Sequence, residues 1–269
     1  MIYLRSEEEI ALIRRSARIV SGCLDHLERM VAPGVTPSQL DREAERFVKD
    51  HGAQPAFKGY RGYPATLCVS VNHVVVHGIP NDVALEEGDI VGLDMGAIVE
   101  GFYADSARTV AVGAVPQEVQ RLIDVTRESL HRGIAQAVDG HRVGDIGHAI
   151  QTYAEGFGFS VVRDLVGHGV GRQLHEEPQV PNYGRPGRGP KLAVGMVLAI
   201  EPMLAMGGPE VSTLPDNWTV VTRDRSWSAH FEHTIAVGRG TSEILSISDG
   251  DAEQAALHGR AQGARAVGG

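Results

Sequence analysis

Four stretches of the chain repeat apolar residues every three or four positions, the spacing that gathers them on one face of a helix. Ser6 and Glu9 form a capping box before the first stretch, and Thr36 precedes Pro37 at the start of the second. Glycine or proline closes each stretch. The predicted helices start near Ser6, Thr36, Val119 and Val143 and end near Pro33, Gly52, Gly140 and Gly156.

Elsewhere the apolar residues alternate with polar ones or run in short blocks between turn residues, as in strands. The two longest runs, Asp89–Val99 and Phe102–Val112, are separated by Glu100-Gly101 and predict a hairpin. Helix pairs alternating with groups of strands predict an α+β fold with largely antiparallel pairing. The other predicted strands are Thr66–Val71, Ser160–Val166, Met196–Ile200, Thr219–Thr222 and His230–Val237.

The composition excludes several classes of protein. Hydrophobic residues make up 42% and charged residues 22% of the 269 positions, which is close to globular averages. The net charge of −9 argues against a nucleic-acid-binding or anionic-membrane surface, and every apolar run is far shorter than the ~20 residues of a membrane helix. Two cysteines, Cys23 and Cys68, suit a reducing compartment. We therefore expect a cytoplasmic protein with neither nucleic-acid nor membrane partners.

The predicted elements follow one another without a linker-like stretch. Residues 1–250 are therefore expected to form a single domain, and no exposed apolar stripe is evident, which favours a monomer. Residues 251–269 are rich in alanine and glycine and lack apolar periodicity, so we expect a flexible C-terminal tail.

Two segments, Leu85–Asp94 and Leu192–Glu201, share the pattern L-x-x-G-x-[IV]-[VL]-[GA]-[LI]-[DE]. Each reads as a turn glycine, an apolar strand and a carboxylate at its end. Chance similarity between two buried strands is one explanation. The other is an internal repeat in which each half delivers an acid to a shared centre.

The hairpin places two acids on one face. Pairing Val99 with Phe102 sets Gly96 opposite Asp105, and Asp94 then lies on the same face, diagonal to Asp105 at about 7–8 Å. A solvated hairpin face would explain either acid alone. Together the two carboxylates can close on a common cation.

Three further residues are candidate ligands of such a cation. Glu201 ends an apolar strand, Glu232 lies in an apolar and aromatic strand, and His168 lies in a Gly-His-Gly-x-Gly segment that permits close approach of a ligand. Four converging carboxylates would repel one another, whereas two divalent cations would balance them and activate a water for hydrolysis. This oxygen-rich donor set suits Mn, Fe(II) or Co at least as well as Zn.

Several blocks of the sequence resemble type I methionine aminopeptidase in its simple bacterial form. They keep the order and spacing of that family over roughly Ile2 to Gly238. The blocks are Gly59–Pro64, Ser70–Asn72, Val76–Pro80, Gly167–Gly171, His175–Pro178, Ala199–Pro202, Asp216–Thr222 and Ser228–Thr234.

The resemblance implies a pita-bread fold, in which two pseudo-symmetric halves surround a dinuclear metal site. It implies that Asp105 and Glu232 bridge the two cations and that Glu201 also moves a proton to the leaving amine. His175 would donate to the scissile carbonyl oxygen and His77 to the scissile nitrogen. The implied ligands are Asp94, Asp105, His168, Glu201 and Glu232.

The resemblance also implies a methionine pocket that contains Tyr60, Tyr63, Cys68 and Trp218. Leu174 stands where the family commonly has phenylalanine, and Phe57 stands where it often has a small residue. Gly96 replaces a frequent threonine, and His73 replaces an acid. These departures affect the expected depth of the pocket and the affinity for metal.

The expected activity is removal of the initiator methionine from nascent chains with a small second residue, at the ribosome or after release. Hydrolysis of X-Pro or other N-terminal residues is the first alternative. A binding protein that has lost its metals is the second, although all five implied ligands are intact.

Overall fold

The computed structural model describes residues 1–247, and the predicted tail 251–269 lies outside this part of the chain. The four predicted helices are confirmed. Helix α1 is capped by Ser6 and α2 by Thr36, each through a reciprocal capping box. The helices are α1 (Glu7–Glu28), α2 (Pro37–Asp50), α3 (Gln117–Gln136) and α4 (Val143–Gly156).

Fifteen strands are found within the described residues, together with a short 3₁₀ turn at Tyr60–Gly62. They are β1 (Gln54–Pro55), β2 (Leu67–Val71), β3 (Val74–Val76), β4 (Ile90–Val99), β5 (Phe102–Ala111), β6 (Ser160–Val161), β7 (Gly167–Gly169), β8 (Glu176–Val180), β9 (Val197–Ile200), β10 (Met203–Ala205), β11 (Val211–Thr213), β12 (Val220–Thr222), β13 (Ser228–His230), β14 (Glu232–Ala236) and β15 (Glu243–Ile244).

The main sheet has nine strands. Its principal path runs β1-β4-β5-β14-β9-β7-β8, with β2 beside β4 and β15 beside β14. Hairpin β4–β5 and the pair β9–β14 are both antiparallel and meet at the β5–β14 boundary. The two copies of the sequence pattern end on β4 and just after β9, so they occupy equivalent positions on the two sides of this boundary. Six further strands form two small sheets, β13-β10-β6 and β11-β12-β3.

All four helices pack on one face of the main sheet. Helices α1 and α2 cover Leu93 and Met95 of β4, whereas α3 and α4 cover Leu198 of β9 and Ile235 of β14. Because side chains alternate along a strand, the residues between these apolar positions face the opposite side of the sheet. None of the helices described is long and apolar enough to cross a membrane.

Two predicted strand runs differ from the structure, and seven of the fifteen described strands were not predicted: β1, β3, β7, β8, β10, β11 and β15. The run Ser160–Val166 is strand only at Ser160–Val161, and the run His230–Val237 splits at Phe231 into strands of two different sheets. Strands β7 and β8 were not predicted, because glycine and proline are depleted in strands. Pro178 is accommodated since β8 is an edge strand, where a missing N–H group costs little.

Candidate metal centre and substrate pocket

The predicted metal ligands all lie on the face of the sheet that the helices leave open. Asp94 and Asp105 project from β4 and β5, and Glu232 projects from β14. His168 projects from β7, and Glu201 follows the last residue of β9. The β5–β14 boundary therefore brings carboxylates from the two halves of the chain together.

Asp94 lines the same cavity as the other four side chains, and those four lie close to one another. His168 Nε2 is 3.5 Å from Asp105 Oδ2 and 3.5 Å from Glu201 Oε1. Ligand atoms of Asp105, His168 and Glu232 all lie within 4.8 Å of one another, and the three residues are buried. This geometry is that of a candidate metal centre.

The electrostatics of the cluster disfavour its charged carboxylates. Burial raises the pKa of Asp105 to about 6, and burial together with the charge of Asp105 raises the pKa values of Asp94, Glu201 and Glu232 well above the usual range. Burial lowers the pKa of His168 to about 4, which keeps this imidazole neutral at pH 7.

The residues present fit a pair of divalent cations. Asp94 Oδ1 is buried without a hydrogen-bond partner among residues 1–247, so one carboxylate oxygen has a free coordination position. Four carboxylates and a neutral imidazole can balance two divalent charges. Such cations would stabilise the charged carboxylates and so oppose the effect of burial, and of mutual repulsion, on their pKa values.

Gly96 keeps space open next to the cluster. It pairs with Asp105 in the predicted register. A Cβ atom at Gly96 would lie 2.9 Å from Ala56 Cβ, 3.0 Å from Phe57 Cε1 and 3.1 Å from Ala104 O. The absence of a side chain at Gly96 therefore leaves room for the Phe57 ring.

Two histidines face the cluster from loops. His77 has a left-handed backbone with φ of 58°, and the next residue, Gly78, is so close to β2 that a Cβ would lie 2.1 Å from Val69 O. His175 precedes β8, and its Nδ1 lies 2.8 Å from the hydroxyl oxygen of Tyr60. Burial lowers the pKa of His77, and burial with the adjacent His168 lowers the pKa of His175 to about 4.

An aromatic pocket opens directly from the metal centre. The cavity has a volume of about 260 Å³. Tyr63 and Trp218 meet edge to face with ring centroids 5.1 Å apart, and burial raises the pKa of the Cys68 thiol well above its usual value. Every predicted site residue lines this cavity: Phe57, Tyr60, Tyr63, Cys68, His77, Asp94, Asp105, His168, Leu174, His175, Glu201, Trp218 and Glu232.

Sequence reasoning missed three features of the site. Arg61 lines the same cavity, next to the Tyr60 ring. His230 is buried 3.7 Å from Glu201, and its Nε2 has no hydrogen-bond partner among residues 1–247. The spacing of two residues between His230 and Glu232 is a signal that could have identified it. The third feature is the buried ion pair between Arg5 and Glu176. These two residues are distant in sequence, so local patterns give no signal for the pair.

Comparisons with known proteins agree with this geometry. Residues 11–239 match the family model for metallopeptidase family M24. The chain is 52% identical to a methionine aminopeptidase of Clostridium perfringens, over 92% of this chain and 99% of the relative. It is 49% identical to methionine aminopeptidase 1 of Bacillus subtilis, over 91% and 99% of the two chains. The crystal structure of methionine aminopeptidase from Thermotoga maritima superposes with a TM-score of 0.91 at 44% identity, covering 92% of this chain and all of that one.

Proposed function

The chain belongs to metallopeptidase family M24, and from that membership we propose that it is a methionine aminopeptidase that removes the N-terminal methionine from chains with a small second residue. One observation carries the proposal beyond similarity. A cluster of four carboxylates and a histidine opens directly into an aromatic pocket that contains a cysteine.

The proposal assigns two divalent cations to this cluster, where Asp94, Asp105, His168, Glu201 and Glu232 would hold them. Mn, Fe(II), Co and Zn are all compatible with this donor set. When bound, such a pair acidifies a water molecule and polarises the scissile carbonyl group.

Glu201 is the proposed proton carrier. Its carboxylate would accept a proton from the attacking water and release it to the amine nitrogen of the departing chain. The position of Glu201 supports this role, because its carboxylate lines the cavity that joins the metal centre to the aromatic pocket.

His175 is the proposed donor to the scissile carbonyl oxygen. A neutral imidazole carries one N–H group, and the Tyr60 hydroxyl can donate to Nδ1 at 2.8 Å, which leaves the proton on Nε2. The lowered pKa of His175 supports the neutral form at pH 7. His77, also kept neutral by burial, would donate to the scissile nitrogen.

The remaining lining residues are proposed to bind the methionine side chain. A thioether gains from contact with aromatic rings, here those of Phe57, Tyr63 and Trp218. The raised pKa of Cys68 keeps its sulfur uncharged, so the pocket stays apolar on that side. Leu174 is buried and adds an aliphatic wall to the pocket.

The test is peptide hydrolysis by the protein reconstituted in turn with Mn, Fe(II), Co and Zn. We expect cleavage of Met-Ala-Ser, loss of this activity on chelation, and slower cleavage of Ala-Pro-Ser. Glu201→Gln should lower kcat by about 10²- to 10⁴-fold, whereas Glu118→Gln, an exposed residue of α3, should leave it unchanged. Absence of methionine release with every metal, or preference for Ala-Pro-Ser, would contradict the proposal.

We propose further that residues 1–250 form one catalytic domain and act as a monomer in the cytoplasm on the N-termini of nascent chains. Homologues of nearly the same length support the single domain. Sedimentation of the purified protein tests the monomer, and co-sedimentation with ribosomes tests where it meets its substrate.

A further inference from the structure

A second cavity adjoins the metal centre. It has a volume of about 380 Å³ and shares His168 and His175 with the first cavity. We call it the exit groove. Its other lining residues are Met1, Tyr3, Val166, Gly167, Gln173, Glu176, Glu177 and Gln179.

The exit groove continues the open face of the sheet to its edge at β8. Along this strand the buried Pro178 and Val180 alternate with the exposed Glu177 and Gln179. Val180 packs into the core beneath α3 and α4, so Glu177 and Gln179 face the side that carries the metal centre. Because the two cavities meet at His168 and His175, a chain with its first residue in the aromatic pocket and its first peptide bond at the metal centre can continue into this groove.

The N-terminal segment of the protein forms the far wall. Ile2 makes a parallel bridge to Glu177, and the N–H group of Arg5 donates to Gly195 O at 2.7 Å. The Arg5 guanidinium is buried against the Glu176 carboxylate. The other oxygen of Glu176 accepts from the N–H group of Arg172. Polar contacts therefore fix the N-terminal segment to β8 and to Gly195.

These contacts leave one carboxylate of the exit groove, that of Glu177, without an ion-pair partner among residues 1–247. The charge of Glu176 is balanced by Arg5, since both side chains are only 6% exposed and form an ion pair. Glu177 is exposed. A cationic side chain of a bound peptide could pair with it.

The distance from His175 to Glu177 indicates which substrate residue would pair with Glu177. Glu177 follows His175 by two residues, or about 6.6–6.8 Å of extended chain. If His175 lies at the carbonyl group of residue one, an extended substrate that runs alongside residues 175–177 reaches Glu177 with its third residue.

We propose that the exit groove binds the substrate beyond its second residue and that Glu177 favours lysine or arginine at the third position. This inference rests on the proposed methionine aminopeptidase activity. It adds a specificity-determining residue outside the methionine pocket and the metal centre.

The test compares kcat/KM for the peptide amides Met-Ala-Lys-Ser, Met-Ala-Gln-Ser and Met-Ala-Glu-Ser. We expect lysine to exceed glutamine by about two- to fivefold, as for a partly exposed ion pair, and glutamate to be the slowest. Glu177→Gln should remove the difference between lysine and glutamine, and Glu177→Lys should invert the order. Glu118→Lys makes the same change of charge on α3, on the other face of the sheet, and should keep the wild-type order.

Equal rates for the three peptides, or a lysine preference that survives in Glu177→Gln, would overturn the inference while leaving the proposed activity intact. Failure to cleave all three peptides and Met-Ala-Ser would overturn both. A preference that weakens in Glu177→Gln and in wild type at 1 M salt, where the Debye length falls to about 3 Å, would support it.

Discussion

Gly96 offers a direct test of the packing between the metal centre and the pocket. Replacing it with alanine adds one methyl group, whose carbon would lie 2.9 Å from Ala56 Cβ, 3.0 Å from Phe57 Cε1 and 3.1 Å from Ala104 O. Ordinary contacts of this kind lie beyond 3.4 Å, so each neighbour must move by a few tenths of an ångström.

Such overpacking costs about 1–3 kcal/mol, and the lower backbone entropy of alanine in the unfolded chain returns about 0.4–1 kcal/mol. We therefore expect Gly96→Ala to lower the free energy of unfolding by about 1–2 kcal/mol. One of the three close contacts is to Phe57. In a Phe57→Ala background the loss should accordingly shrink by about 0.5–1 kcal/mol.

The assay is urea denaturation followed by circular dichroism, with chelator present so that metal binding does not contribute to stability. The matched control is Gly92→Ala in the same strand, where the nearest atom to the added carbon is Ser70 Cβ at 3.4 Å. This control should be neutral or stabilising. Because Phe57 lines the pocket, Gly96→Ala should also raise KM for methionyl peptides.

Two results would refute this reasoning. One is a Gly96→Ala protein as stable as the Gly92→Ala control. The other is a loss of stability that is the same, within the 0.3–0.5 kcal/mol scatter of additive mutations, with and without the Phe57 ring. Either would mean that the backbone around Gly96 accommodates a side chain without involving Phe57.

Further predictions concern charge and hydrogen bonding in the site. In the metal-free protein the pKa of Asp105 is raised to about 6 against 3.8 when unfolded, so Asp105 by itself makes the free energy of unfolding fall as pH rises from about 4 to 6. The lowered pKa values of His168 and His175 act in the opposite sense, so the measurement is the difference in unfolding free energy between wild type and Asp105→Asn in urea titrations. This difference should fall over the same pH range, and a constant difference would contradict the shift. Tyr60→Phe should lower kcat up to about tenfold with little change in KM, since it removes the hydrogen bond to His175; an unchanged kcat would exclude that role. If an N–H donor at position 230 positions the Glu201 carboxylate, His230→Leu should weaken metal binding about tenfold in calorimetry. His230→Gln keeps a donor and should weaken binding much less. Equal affinities of the two variants would show that no donor is needed.

Local sequence patterns determined the elements and part of the site. The starts of α1 and α2 followed from their capping residues, because these act within a single turn of chain. The ends were less well predicted, since α1 ends at Glu28 and α3 at Gln136, several residues before Pro33 and Gly140. The hairpin at Glu100-Gly101 set the pairing of Gly96 with Asp105 before any tertiary information, since a two-residue turn determines the register of the strands beside it. Acids at the ends of apolar strands stood out because burying an unpaired carboxylate is costly.

Only the tertiary structure decided how these pieces meet. The order β4-β5-β14-β9 places Glu232 beside Asp105, although the two are far apart in the chain. The bond from Tyr60 to His175 and the ion pair from Arg5 to Glu176 likewise depend on which strand edges lie together. Such contacts arise from the packing of the whole sheet, and the hydrophobic periodicity of single strands and helices does not predict them.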